Sequence, residues 1–404
     1  MPARLLIVLP SWVGDAVMAT PALRRVRAAM PGAFIGALAR PGVDQLLQGL
    51  TDDDNREVFD EFHVDRPTGV LGPKRVAARV RPRRYDTALL LTGSFSTALV
   101  TRVAGIPRRI GYARDARGFL LTESLHPPKT PDGSWAIVPA VSYYWHAASA
   151  LLDPDAPRKL EAPPLDRLDR VQTILPPDTW LSLNVTDADR EAANDLLAAR
   201  GVDPSKPFAI LNPGGNKPEK RWPTDRFAAI ADHLASEHGV VSLINGSPAE
   251  AELCAEIAAK CATSTNPVTL PGEGHSLRTL LALCASDRCR LMLTNDTGPR
   301  HIAAAVGCPL ISLFGPTDAR WTTIPTRPLA SGSPGETILV ADPTLSPTER
   351  ANDHPDTSAI THIQLDQILS ALTQVLATAS TSPWRKPGAN HDTPPPPPKN
   401  LNPP

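Results

Sequence analysis

The chain has 404 residues, of which 42% are hydrophobic and 21% charged, with a formal net charge of −1. That is long enough for two α/β domains with sizeable cores and ordinary for a globular protein. A balance so close to neutral gives no global reason to expect nucleic acid, and no apolar run approaches the roughly 18 residues of a membrane span.

The apolar run that begins at Arg4 ends in a short loop carrying Trp12, Gly14 and Asp15, and a helical pattern follows from Ala16. In a parallel α/β sheet such a junction is the carboxyl end of the first strand, where these folds place their chemistry. Pro10, Gly14 and Asp15 interrupt the run too early for a secretory signal, so the chain is expected to be cytoplasmic. A strand at 33–38 with a helix at 41–50, a third strand at 57–63, a basic helix at 72–84 and a strand at 85–92 follow. A helix opens at Gly93, a short strand lies at 108–112, and a helix spans 142–152. The segments 122–140 and 153–177 are rich in proline and read as connections.

A second α/β series begins at Pro207. It has strands at 208–212, 240–244, 290–294 and 309–314, and helices at 224–238 (with Thr224 as a candidate cap), 249–259 and 299–306. A helical pattern at 363–377 is placed to close the fold. Strands alternating with helices at this spacing predict parallel sheets covered on both faces. The boundaries expected are 1–178 and 179–379 for two domains. A tail at 380–404, with five consecutive prolines from Pro394, cannot bury a core and is expected to be disordered or polyproline II.

From Lys74 to Arg117 there are eleven basic residues against two acidic ones, which points to an anionic partner for the first half, with Arg83, Arg84, Arg114 and Arg117 as candidate contacts. The five cysteines all lie in the second half without Cys-x-x-Cys or Cys/His spacing, so they read as buried thiols and no metal site is expected.

Three stretches carry chemistry. Asp15, at a helix entrance beside a glycine, reads equally as a helix cap and as a general base. In Asn212–Pro223, Gly214, Gly215 and Asn216 free backbone N–H groups to face an anion, while Lys217, Lys220 and Arg221 supply positive charge suited to a diphosphate leaving group. In Asn295–His301, Asp296, Thr297 and Gly298 open a helix N-terminus suited to a phosphate or a sugar diol, although capping alone would explain Asp296 and Thr297. His301 reads equally as an ordinary helix-face histidine. The loop at 314–318 could line the same cleft. Gly-x-x-x-x-Gly-Lys-Ser/Thr, Gly-x-Gly-x-x-Gly and Gly-x-Ser-x-Gly are all absent at the relevant strand ends, which argues against P-loop, nicotinamide-dehydrogenase and hydrolase chemistry.

Taken together and in order, Pro10-Ser-Trp-Val-Gly-Asp15, Lys220-Arg-Trp-Pro223, Asn295-Asp-Thr-Gly298 with His301, and Leu313-Phe-Gly-Pro316 resemble glycosyltransferase family 9, the ADP-heptose:lipopolysaccharide heptosyltransferases, most of all their heptosyltransferase II branch. The resemblance covers about residues 4 to 376. It implies a GT-B fold, two Rossmann-like domains facing each other across a cleft, with the acceptor on the first and the nucleotide sugar on the second. It implies an inverting transfer of heptose from ADP-heptose to an anionic, lipid-linked glycan, without a metal or other cofactor and with peripheral contact at the inner membrane surface. By position it implies Asp15 as base and Lys220 as the diphosphate's counter-charge. Asp296 would hold the sugar, Thr297 and Gly298 the phosphate, and His301 would lie near the sugar. The terminal helix would cross back to the first domain. Pro299 and Arg300 depart from the family pattern, as do Gly215 and Asn216 where relatives carry threonines. Two other readings stay open from sequence: a related transferase with another donor or acceptor, and a degenerate domain that binds a nucleotide sugar without turnover.

Overall fold

The computed structural model of the chain describes residues 1–65, 69, 71–163, 175–215, 217–329, 332–345 and 359–379. The proline-rich tail expected at 380–404 and the candidate Asn216 lie outside the described residues.

Among the described residues two six-stranded sheets are formed, and every strand pairing in them is parallel. The first contains β1 (Arg4–Val8), β2 (Phe34–Ala39), β3 (Glu61–Val64), β4 (Thr87–Leu90), β5 (Arg108–Tyr112) and β6 (Glu123–Leu125), in the order β3-β2-β1-β4-β5-β6. The second contains β7 (Phe208–Asn212), β8 (Val241–Ile244), β9 (Val268–Thr269), β10 (Cys289–Asn295), β11 (Leu310–Phe314) and β12 (Glu336–Val340), in the order β12-β11-β10-β7-β8-β9. Both orders are the doubly wound pattern, with the crevice at the switch between first and fourth strands. β1, β4, β7 and β11 are buried almost throughout, because helices cover both sheet faces. The expected α/β class and paired Rossmann-like sheets are therefore present.

The halves are packed together. One apolar cluster contains Leu5, Ile7 and Val17 from the first sheet's side and Phe208, Leu281 and Ala303 from the second's. The helix Val13–Met18 lies against the helix Gly298–Ala305. A Cβ on Gly14 would stand 2.8 Å from His301 Nδ1, and one on Gly298 would stand 3.2 Å from Val13 Cβ. The missing side chains are what let these two helix ends meet. On the way into the second half, Ser182 N–H donates to Thr20 Oγ1 at 3.1 Å.

Several elements differ from the sequence reading. The strands β6, β9 and β12 are short edge strands with no periodicity to mark them. Helices Asp187–Ala199 and Leu277–Ala285 each begin with a capping box, Thr186 with Asp189 and Ser276 with Thr279, a signal present in the sequence. Thr224 is not a cap: it is the first residue of its helix, Pro223 precedes it, and its hydroxyl donates to Glu256. The terminal helix Leu365–Ala379 buries Ile368, Leu372 and Val375 in the core of the second half, with Trp222 and Phe227. None of the five cysteines is in a disulfide, and four of them are buried. No helix among the described residues is long and apolar enough to cross a membrane.

Candidate active site

Two clefts open at the carboxyl ends of the two sheets, and Trp12 lines both. The first, about 510 Å³, is lined by Asp15, Arg40, Arg114, Arg117 and Tyr144 of the first half together with Trp321 and Thr322 of the second. The second, about 750 Å³, is lined by Gly214, Gly215, Lys220, Glu250, Asp296, Thr297 and Gly298 among others.

Asp15 lies in the first turn of its helix, but the cap position is Trp12 and no side chain caps the N-terminus. Its carboxylate instead accepts a 3.0 Å hydrogen bond on Oδ1 from the buried hydroxyl of Tyr144, on the helix Ala140–Leu152. Burial raises the Asp15 pKa, the Tyr144 hydrogen bond opposes the rise, and the negative charge of Asp296 adds to it. A largely buried carboxylate that accepts from a tyrosine hydroxyl at the edge of a cleft is suited to taking a proton.

Asp296 directly follows β10 and faces the other cleft. Its pKa is raised by burial, against which the charges of Arg300 and Lys220 act. Arg300 is fully buried and lies 3.5 Å from Asp296 Oδ1. Its Nε and Nη2 donate to the two Glu336 oxygens at 2.6 and 2.9 Å, and Nη1 donates to the Thr322 carbonyl at 2.9 Å. Thr322 in turn donates to Asp296 Oδ1 at 3.4 Å. The departure at position 300 thus supplies a buried cation that orients Asp296 and offsets its charge.

The glycine loop is braced rather than loose. Glu250 accepts from Gly215 N–H at 3.1 Å and from the N–H and hydroxyl of Ser247 at 2.8 Å each, while Arg221 donates twice to the Gly215 carbonyl. Asn212 Nδ2 donates to Thr294 and Thr297 hydroxyls at 2.9 Å each, fixing the loop against the end of β10. Thr297 is the cap residue of the helix Gly298–Ala305, yet no side chain caps it, so that N-terminus is left open to the cleft. His301 donates from Nδ1 to the Thr297 carbonyl at 3.1 Å. Burial and Arg300 lower its pKa to about 3, so it is neutral, and its buried Nε2 has no partner among the described residues.

The candidate basic contacts divide. Arg114 and Arg117 line the first cleft, on a loop in which Asp115 and Ala116 adopt left-handed φ values of 50° and 56°. Such conformations are strained for residues with a Cβ and are held by their surroundings. Arg117 is fully buried, its Nε donating to the Tyr112 carbonyl at 2.9 Å, and burial lowers its pKa to about 10. Arg83 and Arg84 line neither cleft, and Arg83 is paired with Glu61 at 2.6 Å. Much of the basic excess is spent within the fold: Arg75 and Arg79 on Asp65, Arg108 on Glu123, and Arg109 on the carbonyls of Leu120 and Ile106. Gly14 is covered by His301 and lines neither cleft. The 314–318 loop grips Arg320 through Asp318, and its continuation, Trp321 and Thr322, reaches the first cleft.

Sequence reasoning missed Tyr144, Glu250, Trp321 and the organising role of Arg300. Only Ser247 and Glu250 carried a local signal, the Ser-x-x-Glu capping box.

Comparison with known proteins adds a family match, a sequence relative and two solved structures. The family model for glycosyltransferase family 9 (heptosyltransferase) matches residues 74–333. The lipopolysaccharide heptosyltransferase 2 of Escherichia coli K12 is 29% identical over 325 residues, covering 79% of this chain and 84% of that protein. Among solved structures, E. coli ADP-heptose lps heptosyltransferase II superposes with a TM-score of 0.70 at 25% identity, covering 93% of this chain and 98% of that one. E. coli heptosyltransferase WaaC with ADP-2-deoxy-2-fluoro heptose shares the fold, with a TM-score of 0.62 at 17% identity over 92% of this chain and 99% of that one.

Proposed function

The chain belongs to glycosyltransferase family 9, and from that premise we propose that it transfers L-glycero-D-manno-heptose from ADP-heptose to the inner core of lipopolysaccharide, inverting the anomeric centre without a metal. The observation that carries the reading is the pair of clefts meeting at Trp12, with a hydrogen-bonded carboxylate, Asp15, on one side and Lys220, Asp296 and an open helix N-terminus on the other.

In this reading residues 1–178 hold the acceptor and 179–379 hold the donor. Asp15 removes the proton of an acceptor hydroxyl as that oxygen attacks the anomeric carbon. The bond from that carbon to the β-phosphate oxygen breaks on the opposite face, and ADP leaves with the electron pair. Lys220 and the backbone N–H groups at Thr297 and Gly298 meet the charge that develops on the diphosphate, the service a metal would otherwise supply. Asp296, oriented by Arg300, accepts from the heptose hydroxyls. Tyr144 holds the base ionised and fixed by donating to Oδ1, which leaves Oδ2 for the incoming hydroxyl. Arg114 and Arg117 face the carboxylates and phosphates of the acceptor.

The test is transfer from ADP-heptose to truncated lipopolysaccharide in the presence of a chelator, beside a panel of nucleotide sugars in calorimetry. Full turnover with inversion at the new linkage is expected. Preference for a non-adenine nucleotide, or a requirement for added divalent metal, would overturn the assignment.

A further inference from the structure

Four aromatic side chains are strongly exposed among the described residues: Trp12 at 68%, Phe95 at 41%, Phe119 at 75% and Trp135 at 40%. Aromatics are only 5% of the chain, and surface ones ordinarily occur singly. Here each of the four lines one cleft or adjoins a residue that lines it. Trp12 lines the acceptor cleft; Phe95 follows the lining residue Gly93 by two positions, and Phe119 follows Arg117 by two. The rings of Phe95 and Phe119 lie 6.1 Å apart. Trp135 is stacked between two cations, Arg114 at 4.8 Å and Lys129 at 5.0 Å, and Arg114 is itself a lining residue. Arg102, exposed and seven residues after Phe95 on the helix Phe95–Val103, extends the same face.

We infer that this aromatic and basic lip of the acceptor cleft is a docking surface for an anionic phospholipid bilayer. The inference rests on the reading of the acceptor as a lipid-linked glycan. Phenylalanine and tryptophan rings partition to the level of lipid headgroups, where their apolar bodies leave water without entering the hydrocarbon core. Lys129 and Arg102 add attraction to a negative surface, each strengthening binding about fivefold. A soluble protein partner would be better fitted by a larger continuous apolar core than by isolated rings interleaved with cations. Docked this way, the cleft mouth faces the surface in which the acceptor is anchored.

The test is co-sedimentation of the full chain with vesicles of pure phosphatidylcholine or of phosphatidylcholine mixed with phosphatidylglycerol, without donor or acceptor. Binding to the anionic vesicles, weakened by salt, is expected. Phe119→Ser, chosen because that ring is mostly in water already, should lower partitioning severalfold, and Phe95→Ser with Phe119→Ser by about tenfold or more. Arg102→Gln with Lys129→Gln should abolish the preference for anionic vesicles. Transfer to a lipid-free acceptor glycan should be unchanged in every variant, with unchanged thermal melting. Failure of the wild-type chain to bind anionic vesicles overturns the inference, as does undiminished binding by the double phenylalanine variant. Lost transfer to the lipid-free acceptor would assign the rings to the glycan's own site and overturn it equally. None of these outcomes depends on whether Asp15 is the base, which lipid-free transfer by Asp15→Asn tests separately.

Discussion

The two halves share one strand order but place opposite chemistry on equivalent strand ends. After the first strand of the first sheet comes the carboxylate Asp15; after the first strand of the second sheet, β7, comes the glycine loop that carries Lys220. After the fourth strand the roles exchange. β4 leads to Thr92 and Gly93 on the cleft that Arg114 and Arg117 share, while β10 ends beside Asp296. The switch point of the fold supplies a location in both halves, and the loop residues alone decide which charge stands there. Because the sheets face each other, each acidic loop is brought toward the other half. That proximity lets Asp296 push up the Asp15 pKa, and it explains why each carboxylate has its own restraint, a tyrosine hydroxyl for one and a buried guanidinium for the other.

The largest expected effect lies on the acceptor side. Asp15→Asn should fold and bind ADP-heptose as the wild type does, yet lose turnover by about 10²–10⁴-fold. Near-normal single-turnover rates would reject the base assignment.

On the donor side, Lys220→Ala should lower kcat/KM by about a hundredfold, with weaker ADP binding in calorimetry. Unchanged ADP affinity and kinetics would remove Lys220 from the diphosphate site.

Arg300→Leu strips the counter-charge from Glu336 and Asp296 at once and should destabilise the second half by about 3–5 kcal/mol in chemical denaturation. A loss below about 1 kcal/mol would show that the pair is not the organiser of Asp296.

The smallest effect concerns the Tyr144 hydrogen bond to Asp15. A base with a raised pKa is inactive when protonated, so activity falls as pH drops through that value, higher than for an ordinary carboxylate. Tyr144→Phe removes the hydrogen bond that opposes the rise, so the acidic limb of the kcat profile should move to higher pH, with near-normal rates above it. His301, held neutral with a pKa of about 3, should contribute no limb in the neutral range. Superimposable profiles for Tyr144→Phe and wild type would reject its role. In an Asp15→Asn background the same substitution should change nothing further.

Much of the fold was legible because the signals were local. β7 and the helix Thr224–His238 fall on the residues their apolar patterns marked, and β5 does too. The missed strands are edge strands of two to five residues, whose place is fixed by a neighbouring strand and not by their own sequence. In the candidate site, Asp15, Lys220, Asp296 and Arg117 stood out as charged residues at strand ends or in a basic run, and all four line a cleft. The run of arginines was misleading for the opposite reason. Composition counts charge but not its partners, and Arg83 proved to be paired with Glu61.

Two strand-and-helix series, the loops that end their central strands and the charges those loops carry follow from local sequence alone. Each is set within a few residues by periodicity and by glycine, proline or charged side chains. What Asp15 touches was decided only when the chain folded. A carboxylate in the first turn of a helix is a cap when it reaches its own backbone, and is available to other partners when it is turned away. The choice was made by Tyr144, 129 positions along the chain, and by Asp296 from the other half. Two sheets had to pack with glycines between their helix ends before those groups could meet.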